Sequence, residues 1–288
     1  MVGSELCKMI ARIGIPVTTY SRSSNAFSGS SGITHESGDI LDFANMLAAA
    51  RNADVIFHLA GAVHNSEVSF EQYKHVNVTG TENVIQVARE IDAKVIHVST
   101  VNVDGFLKGK LFHDYARTKS YAEDSINLAV SEGLDAVIIR PATVFGNQSG
   151  RSGLIVDRLL SDSLKVLPAP SRKISPVWTH DIASALIRAA EIGKKGHTYT
   201  IAGSTLTTAE FVKSVSEIIG VSRPILSIPV PVMWIPLKLA WWCKNITGWT
   251  PPITVESLKS DSIYDGSLAA KELGFSYTPL SEIFARFK

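Results

Sequence analysis

Short apolar runs alternate with amphipathic stretches along most of this chain, and that rhythm admits few folds. Runs at 15–20, 53–58, 94–100, 134–140, 174–178 and 198–201 read as strands. Between them, 3–13, 41–50, 71–91, 114–132, 151–164 and 180–192 carry helical spacing. Strands separated by helices pair in parallel, because each crossover returns the chain to the same end of the sheet. The expected fold class is therefore α/β, a doubly wound parallel sheet with helices on both faces. After residue 201 the rhythm loosens into a strand at 225–228 and helices at 207–219, 254–260, 266–273 and 279–287, which reads as a smaller C-terminal α/β region.

In such sheets ligands sit beyond the carboxyl ends of the strands. The run Lys94-Val-Ile-His-Val-Ser-Thr100 ends there in two hydroxyls, Ser99 and Thr100. The helix that follows carries Tyr115 and Lys119, four apart and so on one face. A free phenol titrates near ~10, and a neighbouring ammonium favours the phenolate, bringing it towards neutral pH. A donor, a proton carrier and a charge in one crevice suit acid–base chemistry. His64 and His113 are given no role, and Asp104 and Asp114 read as a turn residue and the N-cap of the Tyr115 helix.

Composition removes several alternatives. The 288 residues are 45% hydrophobic, enough for a large core, and the formal net charge of +1 implies no nucleic-acid partner. Cys7 and Cys243, far apart, form neither a disulfide framework nor a metal spacing, and two reduced cysteines with no signal-peptide pattern read as cytoplasmic. From 224 to 243 the chain is apolar apart from Ser227 and Lys238, yet Pro224, Pro229, Pro231 and Pro236 interrupt it. A spanning helix is not expected there. Trp241 and Trp242 suit core packing first, then a substrate cover, a dimer surface or an interfacial anchor.

Several segments in order resemble the extended short-chain dehydrogenase/reductase family, also called the NAD-dependent epimerase/dehydratase family. Val2-Gly3 is similar to the end of its glycine-rich loop, Gly38-Asp39-Ile40 to its adenine-side turn, and His58-Leu59-Ala60-Gly61 to the segment lining the nicotinamide ribose. Asn77-Val-Thr-Gly80-Thr81 resembles its helical brace, Val98-Ser99-Thr100 its catalytic strand end, and Arg140-Pro141-Ala142-Thr143-Val144-Phe145-Gly146 the segment near the nicotinamide. Tyr115 and Lys119 match its catalytic pair. The resemblance implies a Rossmann-type domain at 1–147 with 174–203, and a substrate domain at 148–173 with 204–288. It further implies NAD or NADP as cofactor, Tyr115 as the acid/base, Lys119 on the ribose and lowering the phenol's pKa, Thr100 orienting the substrate oxygen, and a homodimer through helices 71–91 and 114–132. No metal is implied.

A doubly wound sheet normally opens with a strand and a glycine-rich turn, roughly a dozen residues that are absent ahead of Gly3 here. A start placed late, a shortened chain and a natural variant that binds no dinucleotide are all compatible with that. The chain as written is expected to hold a dinucleotide weakly. An acidic residue about 20 positions past the loop selects NAD. At that distance this chain has Ser21 and then Arg22, which favour the 2′-phosphate of NADP. The substrate expected from the resemblance is a nucleotide-diphosphate sugar, with Arg172 and Lys173 as diphosphate partners and Arg151 and Arg158 nearby in sequence. A hydroxysteroid/dihydroflavonol-type reductase and a non-catalytic Rossmann scaffold are the alternatives.

Overall fold

A computed structural model describes residues 2–23, 31–63, 68–111, 113–146, 150–224, 226–233, 239, 242 and 261–285. The chain divides into two compact units. The first comprises Met1–Ala142, Thr179–Ile201 and Gly266–Ser276; the second comprises Thr143–Trp178, Ala202–Asp265 and Tyr277–Lys288.

In the first unit a four-stranded sheet runs in the order β10 (Thr198–Ile201), β5 (Ala136–Pro141), β4 (Lys94–Val98), β3 (Val55–His58), every neighbouring pair parallel. β1 (Val17–Ser21) and β2 (Ile33–Ser37) form a separate parallel pair. The expected α/β parallel architecture is thus what the chain adopts. One face is covered by α2 (Phe43–Ala50), α4 (Gly80–Ile91) and α6 (Asp114–Ser131), whose apolar residues close on Val95, Ala136 and Ile138. α1 (Val2–Arg12) packs along α8 (Thr179–Ile192), and α8 contacts β4 and β5. β4 and β5 are almost wholly buried, as parallel strands covered on both sides must be.

The expected long helix 71–91 is three pieces in one: α3 (Phe70–Lys74), a π-turn over His75–Thr79, and α4. Ser69 and Gln72 form a capping box at its start. The wider π-turn carries Asn77, and such turns recur at functional sites. Gly80 opens α4 where a Cβ would lie 3.0 Å from Ile40, so the absence of a side chain lets the helix approach the Asp39–Ile40 turn. Asn83 Nδ2 also donates to the Ile40 carbonyl at 3.1 Å.

The second unit has its own core, in which Phe145, Trp178, Phe211 and Phe284 pack with Leu159, Leu167 and Ile174. It pairs β6 (Thr143–Phe145) with β9 (Pro176–Trp178), and β7 (Val166–Pro168) with β12 (Leu226–Ile228), both parallel. α9 (Thr208–Ile219) begins in a Thr207–Glu210 capping box and ends at Gly220 in the left-handed region. Among the described residues no helix is long and apolar enough to cross a membrane. The helix expected at 254–260, and Trp241, lie outside the described residues; Trp242 is exposed.

Candidate active site

The first unit gathers the catalytic candidates at the carboxyl end of β4. Thr100 follows that strand and is buried, and its side chain hydrogen bonds Tyr115. Burial pushes the Tyr115 phenol above its usual pKa, and the bond from Thr100 pulls it back. Two rings flank it: His113, stacked at 6.0 Å between centroids, and Tyr73, tilted at 6.3 Å.

His113 corrects the reading of the helix start. It, not Asp114, is the N-cap, its Nδ1 accepting from the Ala116 N–H at 3.0 Å, and Asp114 is the first helical residue. Asp104 likewise is no turn residue: it sits in α5 (Asn102–Leu107) and pairs with Arg140. His64 lies outside the described residues.

Lys119 is 5% exposed. Its Nζ donates to the Val98 carbonyl at 2.7 Å and lies 3.3 Å from His97 Nε2. Burial lowers its pKa to about 8 against the opposing pull of Glu123, one turn further along α6. The expected acidification of Tyr115 by Lys119 is not the governing effect here: burial is, because the ammonium is turned onto the end of β4.

α6 is fixed from two sides. Arg140 of β5 grips the buried Glu123 carboxylate through two nitrogens and reaches Asp104 Oδ1 at 2.5 Å. Asn77 accepts from Ala62 N at 2.8 Å on Oδ1 and donates through Nδ2 to Ala62 O at 3.3 Å and Thr118 Oγ1 at 3.1 Å. The Leu59-Ala60-Gly61 segment therefore runs into a clamp on the helix that carries Tyr115 and Lys119. A Cβ at Gly61 would lie 3.1 Å from Asn77 Oδ1.

The other cofactor candidates fall at strand ends and turns. Gly3 lies in the first turn of α1, Ser21 ends β1 with Arg22 exposed after it, and Pro141 ends β5. Asp39 Oδ1 accepts from the Leu41 N–H at 3.0 Å, and the Tyr20 hydroxyl donates to the Asp39 carbonyl at 3.1 Å, so the turn is braced on both sides. Thr143, Arg172 and Lys173 belong to the second unit. There Arg172 Nη2 donates to Ser262 Oγ at 3.0 Å, and the Lys173 N–H to Asp261 Oδ1 at 2.8 Å. Burial holds the Arg172 pKa below its usual value against the pull of Asp261.

The residues of the first unit fit the nicotinamide end of a dinucleotide. Ser99 Oγ is buried with no hydrogen-bond partner among the described residues. An ammonium has three donors, so Lys119 keeps one N–H beyond Val98 and His97. Among the described residues no cluster is set to hold a metal ion.

A family model for the NAD dependent epimerase/dehydratase family matches residues 1–202. The chain belongs to that family. Among relatives of this epimerase/dehydratase chain is sterol demethylase protein B of Methylococcus capsulatus, 24% identical over 233 residues, 74% of this chain and 70% of that protein. The dTDP-4-dehydrorhamnose reductase of Mycobacterium tuberculosis is 28% identical over 184 residues, 57% of this chain and 58% of that protein. The alignment thus spans little more than half the length of the second relative. In fold, the UDP-glucuronic acid 4-epimerase of Bacillus cereus, solved with NAD, is similar with a TM-score of 0.76 and 18% identity, covering 99% of this chain and 93% of that one.

His97, His58, Glu123, Arg140 and Thr118 adjoin the candidate residues in contacts that the sequence alone does not single out. One signal was present for His97: a histidine within the otherwise apolar run 95–98.

Proposed function

We propose that this protein is an NAD(P)-dependent oxidoreductase or epimerase that moves hydride at a carbinol or keto carbon of a nucleotide-diphosphate sugar. One observation carries the reading. A half-buried phenol, Tyr115, is hydrogen bonded to the buried Thr100 one helical turn from a buried ammonium, Lys119, at the carboxyl end of a central parallel strand.

A bound nicotinamide supplies or takes up the hydride. Tyr115, held protonated by burial, gives its proton to a ketone oxygen as the carbon is reduced, and takes it back from a carbinol in the reverse direction. Thr100 both donates and accepts, so it orients the substrate oxygen and steadies the phenolate left behind. Lys119 adds positive charge a turn away and holds the ribose hydroxyls with its remaining N–H. Ser99, Asn77 and the Leu59-Ala60-Gly61 segment line the same end of the first unit.

For the nucleotide, Ser21 with Arg22 favours the 2′-phosphate of NADP, whereas the B. cereus neighbour was solved with NAD. For the substrate, the sugar reading draws on the epimerase and reductase relatives, with Arg172 and Lys173 as candidate diphosphate partners. A second reading, a hydroxysteroid-type reductase for an apolar ketone or alcohol, is favoured by the likeness to sterol demethylase protein B.

The deciding experiment is a panel of UDP- and dTDP-sugars and hydroxysteroids with each nicotinamide, followed by reduced-nicotinamide absorbance. Turnover of a nucleotide sugar that falls roughly 10²–10⁴-fold in Tyr115→Phe is expected. Undiminished turnover in that variant overturns the reading; turnover of steroids alone selects the second one. Unchanged sugar affinity in Arg172→Ala with Lys173→Ala removes those two from the diphosphate site.

A further inference from the structure

The sheet face beneath α4 and α6 is apolar except at its carboxyl end. Ile56, Val95, Ala136 and Ile138 line it, and then His58 and His97, register partners on β3 and β4, lie with ring centroids 4.9 Å apart. His58 is explained by its bond to Thr81 Oγ1 at 2.9 Å. His97 is different. It is 0% exposed, and its Nδ1 has no hydrogen-bond partner among the described residues.

A phenylalanine or leucine would fill that room without stranding a nitrogen, so packing does not account for the imidazole. What it alone supplies is an acceptor at Nε2, 3.3 Å from Lys119 Nζ. An ammonium has no lone pair, so while Lys119 is charged Nε2 must accept and the ring proton must sit on Nδ1. Burial first, then the charge of Lys119 and the neighbouring His58, keep the ring in the neutral form that owns such a lone pair.

We propose that His97 is a positioning residue for Lys119, its neutral Nε2 and the Val98 carbonyl together fixing the ammonium so that one N–H is left for the ligand. The inference rests on the role given to Lys119 above. The groups around the pair come from every packed element: Tyr115 and Glu123 on α6, His58 on β3 with Thr81 on α4, and Arg140 on β5 with Asp104 on α5. Glu123 is the anion facing Lys119, and Arg140 is already bound to it. Removing the imidazole therefore withdraws stabilisation of the ammonium that nothing else replaces. The Lys119 pKa falls below about 8, and the alkaline limb of turnover, where Lys119 loses its charge, moves to lower pH.

The test is nuclear magnetic resonance of the whole protein with ¹³Cε-labelled lysine and ¹⁵N-labelled histidine, beside pH–rate profiles. In the wild type, the His97 ring proton is expected on Nδ1. In His97→Phe the Lys119 midpoint is expected to drop by about one unit, with the alkaline limb following it, and in His97→Gln, which keeps an acceptor, to return towards wild type. A proton on Nε2 in the wild type overturns the proposal, and so does an unmoved Lys119 midpoint in folded His97→Phe. Should that variant not fold, the wild-type tautomer decides. Absence of wild-type turnover overturns the proposed function instead, and leaves the lysine titration to judge this inference.

Discussion

Asn77 Nδ2 donates to Thr118 Oγ1 at 3.1 Å, joining the π-turn to the Tyr115 helix across 41 positions of sequence. Its other polar contacts hold both backbone groups of Ala62. Asn77→Ala therefore strands a backbone N–H and releases the segment after β3. A loss of roughly 1–3 kcal/mol in denaturant unfolding is expected, with weaker dinucleotide binding by calorimetry. Unchanged stability would mean that water replaces the amide.

Arg140 and Glu123 should behave as a unit. The Glu123 carboxylate is buried and doubly bonded to the guanidinium, so removing one partner leaves a charge without its main counterion. Glu123→Ala is expected to cost roughly 3–5 kcal/mol. In a double-mutant cycle with Arg140→Met, the pair should show about 1–3 kcal/mol of coupling by chemical denaturation. Additive losses would show that the pair is only structural decoration of two independently packed side chains.

How much of this was legible beforehand depends on how local each feature is. Thr100, Tyr115 and Lys119 could be read because a strand end and a four-residue spacing fix their neighbourhood. The strand Ile33–Ser37 could not: its Ile-Thr-His-Glu-Ser sequence has no apolar alternation, and pairing with β1 supplies the conformation. α5 was hidden by Gly105, a poor helix residue that suggested a turn. The roles of His97 and Arg140 depend on strand register and on helix α6 lying over it, which no local pattern encodes.

Gly38 is a position where a single methyl should be felt. A Cβ there would lie 2.1 Å from the Tyr20 hydroxyl oxygen and 2.3 Å from its ring, so the ring must move and its bond to the Asp39 carbonyl must break. Gly38→Ala is expected to cost about 1–3 kcal/mol by denaturant unfolding. Tyr20→Phe, which loses only the bond, should cost about 1 kcal/mol. Equal losses in the two would show that the clash is absorbed.

His58 gives the protein an acid-side dependence. Burial first, and then the charge of Lys119, lower its pKa from 6.5 to about 3. Between those values the unfolded chain holds more protons, so stability falls as pH drops from 6.5 towards 3. His97, also held well below 6.5, acts in the same direction. His58→Gln keeps an acceptor and donor for Thr81 but cannot titrate there. Its thermal midpoint should fall less than the wild type's over that window, and an identical fall would assign the acid loss to other groups.

Lys119 makes stability and turnover diverge on the alkaline side. Its pKa is lowered from 10.5 to about 8, so between those values the unfolded chain again holds more protons. This one group therefore makes the fold more stable as pH rises through the window, whereas turnover needs the ammonium and should decline above about 8. Lys119→Met should flatten the rise in the thermal midpoint relative to wild type and reduce turnover at every pH. A variant that keeps the wild-type rise would show that the lysine is not the titrating group, and one that keeps wild-type turnover would remove its charge from the chemistry.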